Sequence, residues 1–271
     1  MEHSESIYKK LTKSKNFFLI AGPCVVENRD ITFEIANKVK NICSKLQIPF
    51  IFKASFKKAN RSSIESFSGI GDKEALSILK DIKKELKILV ITDVHSQEDV
   101  VLAKDTADLL QIPAFLCRQT ELLIAAGKTG LPVNIKKGQF ISPEAMTFAA
   151  EKVRSTGNQN ILFTERGSSF GYQDLIVDFR SIPIMQKTGF PVVLDCTHSL
   201  QQPNQKSGVT GGLPDLIETI AKAGVAVGVN GLFIETHPAP LKALSDGANM
   251  LHLDLLENLL EKLIKIRQAI S

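Results

Sequence analysis

Eight short apolar runs in this chain each finish on a residue capable of chemistry: Cys24, Lys53, Asp93, Gln111, Lys136, Arg166, His198 and Glu235. A strand buried on both faces stays apolar to its end, so a polar ending repeated in every run needs a cause. The cations Lys53, Lys58, Arg61, Lys136 and Arg166 lie at or just beyond such endings. Gathered in one partly dehydrated place they would repel one another unless anions or acidic neighbours offset them. Phosphate is the anion that fits. Arg offers a planar fork and Lys a point charge, and Asn60, Ser62 and Ser63 add neutral donors if they open the next helix. Lys57 and Lys58 also have the plainer reading of solvated surface lysines, which suits Lys53 and Lys136 poorly because they are embedded in apolar runs.

A second set has ligand chemistry. Cys24, His198 and Glu235 end three runs, and Asp246 follows the last one in "ALSDGAN". A thiolate, an imidazole and two carboxylates make a mixed set suited to a divalent metal ion, with zinc, iron and manganese all compatible. Taken singly, each has a plainer reading, since a free Cys is usually a small buried hydrophobe. That reading applies to Cys43, inside a helical stretch, and to Cys196, which alternation points away from its neighbour Asp195. His95 in "TDVH" and His237 in "ETH" follow run endings as partners of the ligands, proton carriers or loop residues.

These residues meet only if the chain brings the endings together. The runs are "FFLIAGPC" (17–24), "PFIFKASF" (49–56), "KILVITDV" (87–94), "LLQIPA" (109–114), "VNIKK" (133–137), "ILFTER" (161–166), "PVVLDCTH" (191–198) and "GLFIETH" (231–237). Between them apolar residues recur at helical spacing, as in Ile31, Ile35, Val39, Ile42 and Leu46. "SPEAMTFAAEKVRSTG" predicts a helix with Ser142 as N-cap, Pro143 at its first position, Glu144 in its first turn and a stop at Gly157. Gly130, Gly189 and Gly231 read as similar stops. Strand and helix alternate eight times after a polar N-terminal segment, which predicts an α/β chain folded as one (β/α)8 TIM barrel over 1–271. In such a barrel all strand C-termini share one rim, where active sites lie. The fourth and sixth units have the shortest helical stretches.

Composition narrows the class. The chain of 271 residues is 44% hydrophobic and 23% charged, as globular proteins are. It shows neither an eighteen-residue apolar run nor a leader pattern, and the expectation is a soluble, cytoplasmic protein without membrane partners. A net charge of +4 and the absence of Trp give little support to nucleic-acid binding. The four cysteines are far apart with no CxxC pair, which argues against a disulfide framework or a zinc finger.

The succession "AGPC", "FKASFKKANRSS", "ITDVH", "QIPAFLCRQT", "NIKKGQF", "ERGSSFGY", "DCTHS" and "ETHPAPLKALSDG" closely resembles the 3-deoxy-D-manno-octulosonate 8-phosphate synthase family over nearly the whole chain. "KANRSS" is its most discriminating block. The related synthase of 3-deoxy-arabino-heptulosonate 7-phosphate shares the barrel and the phosphoenolpyruvate site but matches less where the sugar binds. The resemblance implies condensation of phosphoenolpyruvate with arabinose 5-phosphate and water, with release of phosphate, in lipopolysaccharide biosynthesis. It implies that Lys58, Lys136 and Arg166, with Ser55, Gln111 and Ala114, hold phosphoenolpyruvate. Lys53, Asn60, Arg61, Ser62 and Asp93 would address the sugar phosphate, joined by Arg118 of a neighbouring subunit in a homotetramer. A Cys after "AGP" marks the metal-dependent class, so Cys24, His198, Glu235 and Asp246 are expected to ligate a divalent ion. Lys58, Lys136, His198 and Asp246 are the expected catalytic residues.

The chain departs from the family pattern at Lys57 and Ala239, where an acidic residue is usual. The segment "QQPNQKSGVTGG" reads as a flexible lid. Two other readings stand beside the resemblance: a metal-assisted or Schiff-base aldolase acting on phosphosugars, with Lys136 as the nucleophile, and a phosphosugar-binding regulator without catalysis.

Overall fold

The computed structural model describes residues 2–12, 14, 16–59, 66–205 and 210–270. Eight parallel strands close on themselves: β1 (Phe18–Gly22), β2 (Phe50–Lys53), β3 (Leu89–Asp93), β4 (Leu109–Ile112), β5 (Val133–Lys136), β6 (Ile161–Glu165), β7 (Val192–Asp195) and β8 (Gly231–His237), with β8 pairing back onto β1. The expected (β/α)8 barrel is the observed one. An N-terminal helix, α1 (Glu2–Thr12), precedes β1, and one helix follows each strand: α2 (Arg29–Lys45), α3 (Asp72–Leu86), α4 (Gln97–Ala103), α5 (Thr120–Lys128), α6 (Met146–Arg154), α7 (Ser181–Gln186), α8 (Ile217–Ala226) and α9 (Leu256–Ile270). Short connections favour this order because each helix must pack back on the sheet beside its own strand. Among the described residues no helix is long and apolar enough to cross a membrane.

The core has two parts. One lies between the strands and the helix ring and includes Leu19, Val39, Leu79, Ile135, Phe163, Leu232 and Leu260. The other fills the barrel itself with Phe18, Ile20, Ile51, Ile91, Leu109, Leu162, Val193 and Phe233, and is joined by Ile7 and Leu11 of α1. The segment expected to be merely polar is thus a helix that closes the bottom of the barrel. Its apolar residues stand four apart, on one face, and Tyr8 donates to the Ile161 carbonyl at the start of β6 (3.0 Å).

Three local expectations need correction. Helix α6 begins at Met146, with Ala145 rather than Ser142 at its cap and no side-chain capping bond; residues 142–145 instead form i→i+3 turns leading into it, and these tighter backbone bonds take the place of a side-chain cap. Gly231 is not a stop: it starts β8, and a Cβ there would meet the Phe18 ring at 2.5 Å. The stop after α8 is Gly228, at φ +90°. "ERGSSFGYQDL" is also more than a tight glycine turn, since Ser168–Phe170 and Asp174–Ile176 pair as an antiparallel hairpin over the rim.

Candidate active site

Alternation along the strands explains the polar endings. Residues two apart point the same way, so the inward positions run from Ile51 to Lys53, Ile91 to Asp93, Leu109 to Gln111, Val193 to Asp195 and Phe233 to Glu235. The lower member of each pair belongs to the barrel core, and the upper member is a buried polar residue near the rim. Close approach at the rim also constrains β1: a Cβ on Gly22 would lie 2.1 Å from the Lys53 carbonyl oxygen.

On one side of the upper interior, Lys53 Nζ donates to Glu235 Oε1 (2.9 Å) and the Cys24 carbonyl (3.0 Å) and lies 3.5 Å from Asp93 Oδ2. Burial alone would lower the Lys53 pKa, but Glu235 and Asp93 outweigh it and hold the ammonium above its ordinary range. Cys24, Glu235 and Asp246 place one ligand atom each within 4.8 Å of one another. Cys24 Sγ is 3.2 Å from Asp246 Oδ2 and 2.8 Å from Ser245 Oγ. Glu235 Oε2 is buried without a hydrogen bond among the described residues, with His198 Nε2 at 3.6 Å. Burial first, then the Asp246 and Glu235 carboxylates, push the Cys24 thiol pKa up. An orphaned carboxylate oxygen among acidic donors is an arrangement that a divalent cation satisfies, and a cation reverses the electrostatics that protonate the thiol. The residues therefore fit the expected ion. Three donors converge directly, and His198 adjoins them through Glu235.

On the other side, Lys136 Nζ donates to Asp195 Oδ2 (2.6 Å) and sits 3.5 Å from His198 Nδ1. The Phe233 ring floors both sides, with Lys136 Nζ 3.9 Å and Lys53 Nζ 5.6 Å from its centroid. Arg166 is buried and donates to Gln201 Oε1 (2.6 Å). Burial lowers its pKa against the pull of Asp195, Glu165 and Asp246. A polar belt links the strands: Ser55 donates to Asp93, Gln111 Nε2 to Asp93 Oδ1 (2.5 Å), Asn134 Nδ2 to Gln111 Oε1 (2.8 Å) and Thr164 Oγ1 to Asn134 Oδ1 (2.8 Å).

Most of the predicted residues meet in one place. Lys53, Lys58, Asp93, Gln111, Ala114, Lys136, Arg166, His198 and Asp246 line a cavity of about 90 Å³, joined by His95 and Gln201. It shares Phe115, Arg166, Gln201 and Asp246 with an outer vestibule of about 460 Å³. A larger groove between α2 and the start of α9 holds exposed ion pairs such as Lys38 with Asp254, far from this chemistry. Ser55 stays behind the wall, its hydroxyl committed to Asp93. Arg118 is exposed and lines a separate pocket with Phe148 and Lys152 rather than its own chain's cavity. Asn60, Arg61 and Ser62 lie outside the described residues, as does 206–209 of the expected lid.

The departures find local partners. Lys57 pairs with Asp99 (2.5 Å) and Asp72 (3.3 Å) at the starts of α4 and α3. Ala239 donates its N–H to His237 Nδ1 (3.0 Å), which makes His237 a loop-holding residue. Cys43 and Cys196 are core residues. Sequence reasoning missed Asp195 as a functional residue, and also Glu165 and Lys137, a buried pair (3.4 Å) that braces the Arg166 backbone because Glu165 Oε1 accepts from the Arg166 and Gly167 N–H groups.

The chain matches the DAHP synthetase I family over residues 8–271. It belongs to that family. Proteins similar to this chain are named 2-dehydro-3-deoxyphosphooctonate aldolase. The protein of Desulfatibacillum aliphaticivorans is 53% identical over 253 residues, covering 93% of both chains. That of Syntrophobacter fumaroxidans is 50% identical over 257 residues, covering 95% of this chain and 89% of its own. That of Agrobacterium fabrum is 51% identical over 251 residues, covering 93% and 89%. Relatives named as aldolases and a gathered rim agree with each other, since enzymes built on a (β/α)8 barrel act at the strand C-termini.

Proposed function

We propose that this chain condenses phosphoenolpyruvate with D-arabinose 5-phosphate and water, giving 3-deoxy-D-manno-octulosonate 8-phosphate and inorganic phosphate. This eight-carbon product is the 2-dehydro-3-deoxyphosphooctonate in the names of its relatives. The observation that carries the reading is a single cavity in which Lys58, Lys136 and Arg166 face Asp246 of the ligand group. Two phosphorylated reactants need several fixed cations, and joining them needs their reacting carbons held in contact.

In this reading Lys58, Lys136 and Arg166, with Gln111 and Ala114, hold the phosphate and carboxylate of phosphoenolpyruvate and stabilise charge developing on the departing phosphate. Lys53 and Asp93 shape the sugar side, together with Asn60, Arg61 and Ser62. Arg118 reaches the sugar phosphate of a neighbouring subunit in a homotetramer, and the enzyme works in the cytoplasm. Cys24, His198, Glu235 and Asp246 would hold a divalent ion, zinc, iron or manganese, which supplies Lewis-acid polarisation of the aldehyde or of a water when bound. Lys136 is engaged by Asp195 at 2.6 Å, an arrangement for holding an anion, and no observation favours the Schiff-base aldolase. The test is to mix phosphoenolpyruvate with arabinose 5-phosphate or erythrose 4-phosphate and follow phosphate release and product mass. An eight-carbon product formed with clear preference for the pentose is expected. Preference for erythrose 4-phosphate would move the chain to the seven-carbon synthase, and no phosphate release from either would favour a binding protein.

A further inference from the structure

Asp195 is wholly buried and sits between the two sides of the site. Its Oδ1 accepts from the Thr197 N–H (3.1 Å), the Thr197 hydroxyl (3.0 Å) and the His198 N–H (2.8 Å). These bonds lock the carboxylate to the turn after β7. Its Oδ2 then faces Lys136 Nζ at 2.6 Å and His198 Nδ1 at 2.8 Å. A carboxylate held by so many donors accepts only, so the imidazole proton belongs on Nδ1. Nε2 is then the ring nitrogen left for an ion, and it faces Glu235 Oε2 at 3.6 Å. The same oxygen fixes the ammonium of Lys136 over the Phe233 ring. One atom thus sets the tautomer of a proposed metal ligand and the position of a proposed phosphoenolpyruvate contact.

We propose that Asp195 is a positioning residue that couples the metal side of the site to the phosphoenolpyruvate side without touching either ligand. The inference rests on the function proposed above. Carboxylate partners of ligating histidines typically carry about 10–100-fold in metal affinity. A second bond, to Lys136, would make the effect extend to substrate.

Asp195→Asn separates this role from mere packing, because the amide keeps the size but puts donors where Lys136 and His198 need an acceptor. Zinc affinity, measured by competition with a chelator, is expected to fall about 10–100-fold. The KM for phosphoenolpyruvate is expected to rise about tenfold, a loss of one charge-assisted contact, while that for arabinose 5-phosphate stays within about twofold. Unchanged zinc affinity and KM values, or an equal rise in both KM values, would overturn the proposal. Should the variant fail to fold, the wild-type protein with 15N-labelled histidine gives the second readout, with His198 assigned against a His198→Gln spectrum. The metal-free protein is expected to carry a proton on His198 Nδ1 and to shift that resonance when phosphoenolpyruvate is added; a bare Nδ1, or no shift, would sink the coupling. If wild-type protein releases no phosphate from the two substrates, the function proposed above fails; if it does and the variant matches it, this inference alone fails.

Discussion

The lower and upper halves of the barrel interior are built by the same eight strands and hold opposite contents. Below, Phe18, Ile20, Ile51, Ile91, Leu109, Leu162 and Val193 pack with Ile7 and Leu11 of α1. Above, Lys53, Asp93, Gln111, Lys136, Asp195 and Glu235 are equally buried yet charged or polar. Apolar burial stabilises wherever it occurs, whereas buried ions roughly break even at best and are costly when one partner is lost. The lower half therefore supports the fold, and the upper half is retained for chemistry.

The contrast is broken most severely by changing one ion above. Lys136→Met should lower kcat/KM by about 10²–10³-fold, the cost typical of losing one preorganised charge stabiliser, read as phosphate release. The matching change below is Leu11→Ala, expected to cost about 2–5 kcal/mol of stability by denaturant unfolding while kcat stays within about twofold. A large loss of kcat with intact folding in Leu11→Ala would show that the halves are not separable in this way.

Titration sharpens the same comparison. Burial alone would raise the pKa of Asp93, Asp195 and Glu235, but Lys53 beside Asp93 and Glu235, and His198 and Lys136 beside Asp195, outweigh it and hold all three below the ordinary carboxylate range. Their stabilisation is complete above the unfolded values near 4 and is lost as pH falls through the lower folded values. Below, burial pushes Tyr8 up to about 12, so its contribution is whole below the unfolded value of about 10 and disappears as pH rises toward 12. Acid should thus attack the upper half and alkali the lower. Thermal midpoints against pH are expected to show a flatter acid limb for Asp93→Asn and a flatter alkaline limb for Tyr8→Phe, the latter the smallest effect, about 1 kcal/mol from the lost hydrogen bond.

The barrel was legible because its strands are short β-rich apolar runs, separated by helical periodicity and ending in polar residues. Asp195 was not, because attention to the last residue of each run fell on His198, three residues further on. The signal that could have found it is parity: Asp195 stands two residues after Val193, a barrel-core residue, and so faces inward. Helix α1 hid for a different reason, since Ile7 and Leu11 are only two apolar positions in a polar stretch and their burial depends on the open end of a barrel closed elsewhere. Gly231 misled because a glycine before a strand and a glycine after a helix look alike in sequence. Only the Phe18 ring beside it tells the two apart.

The central claim is that the ligand group and the phosphate cations of the upper interior form one site. Stripping the protein with a strong chelator and titrating zinc or manganese back, while following bound metal and phosphate release from phosphoenolpyruvate and arabinose 5-phosphate together, tests it directly. Activity is expected to rise in step with occupancy to one ion per chain, and Cys24→Ala should take up little metal and stay inactive. Full activity in the metal-free protein would contradict the account.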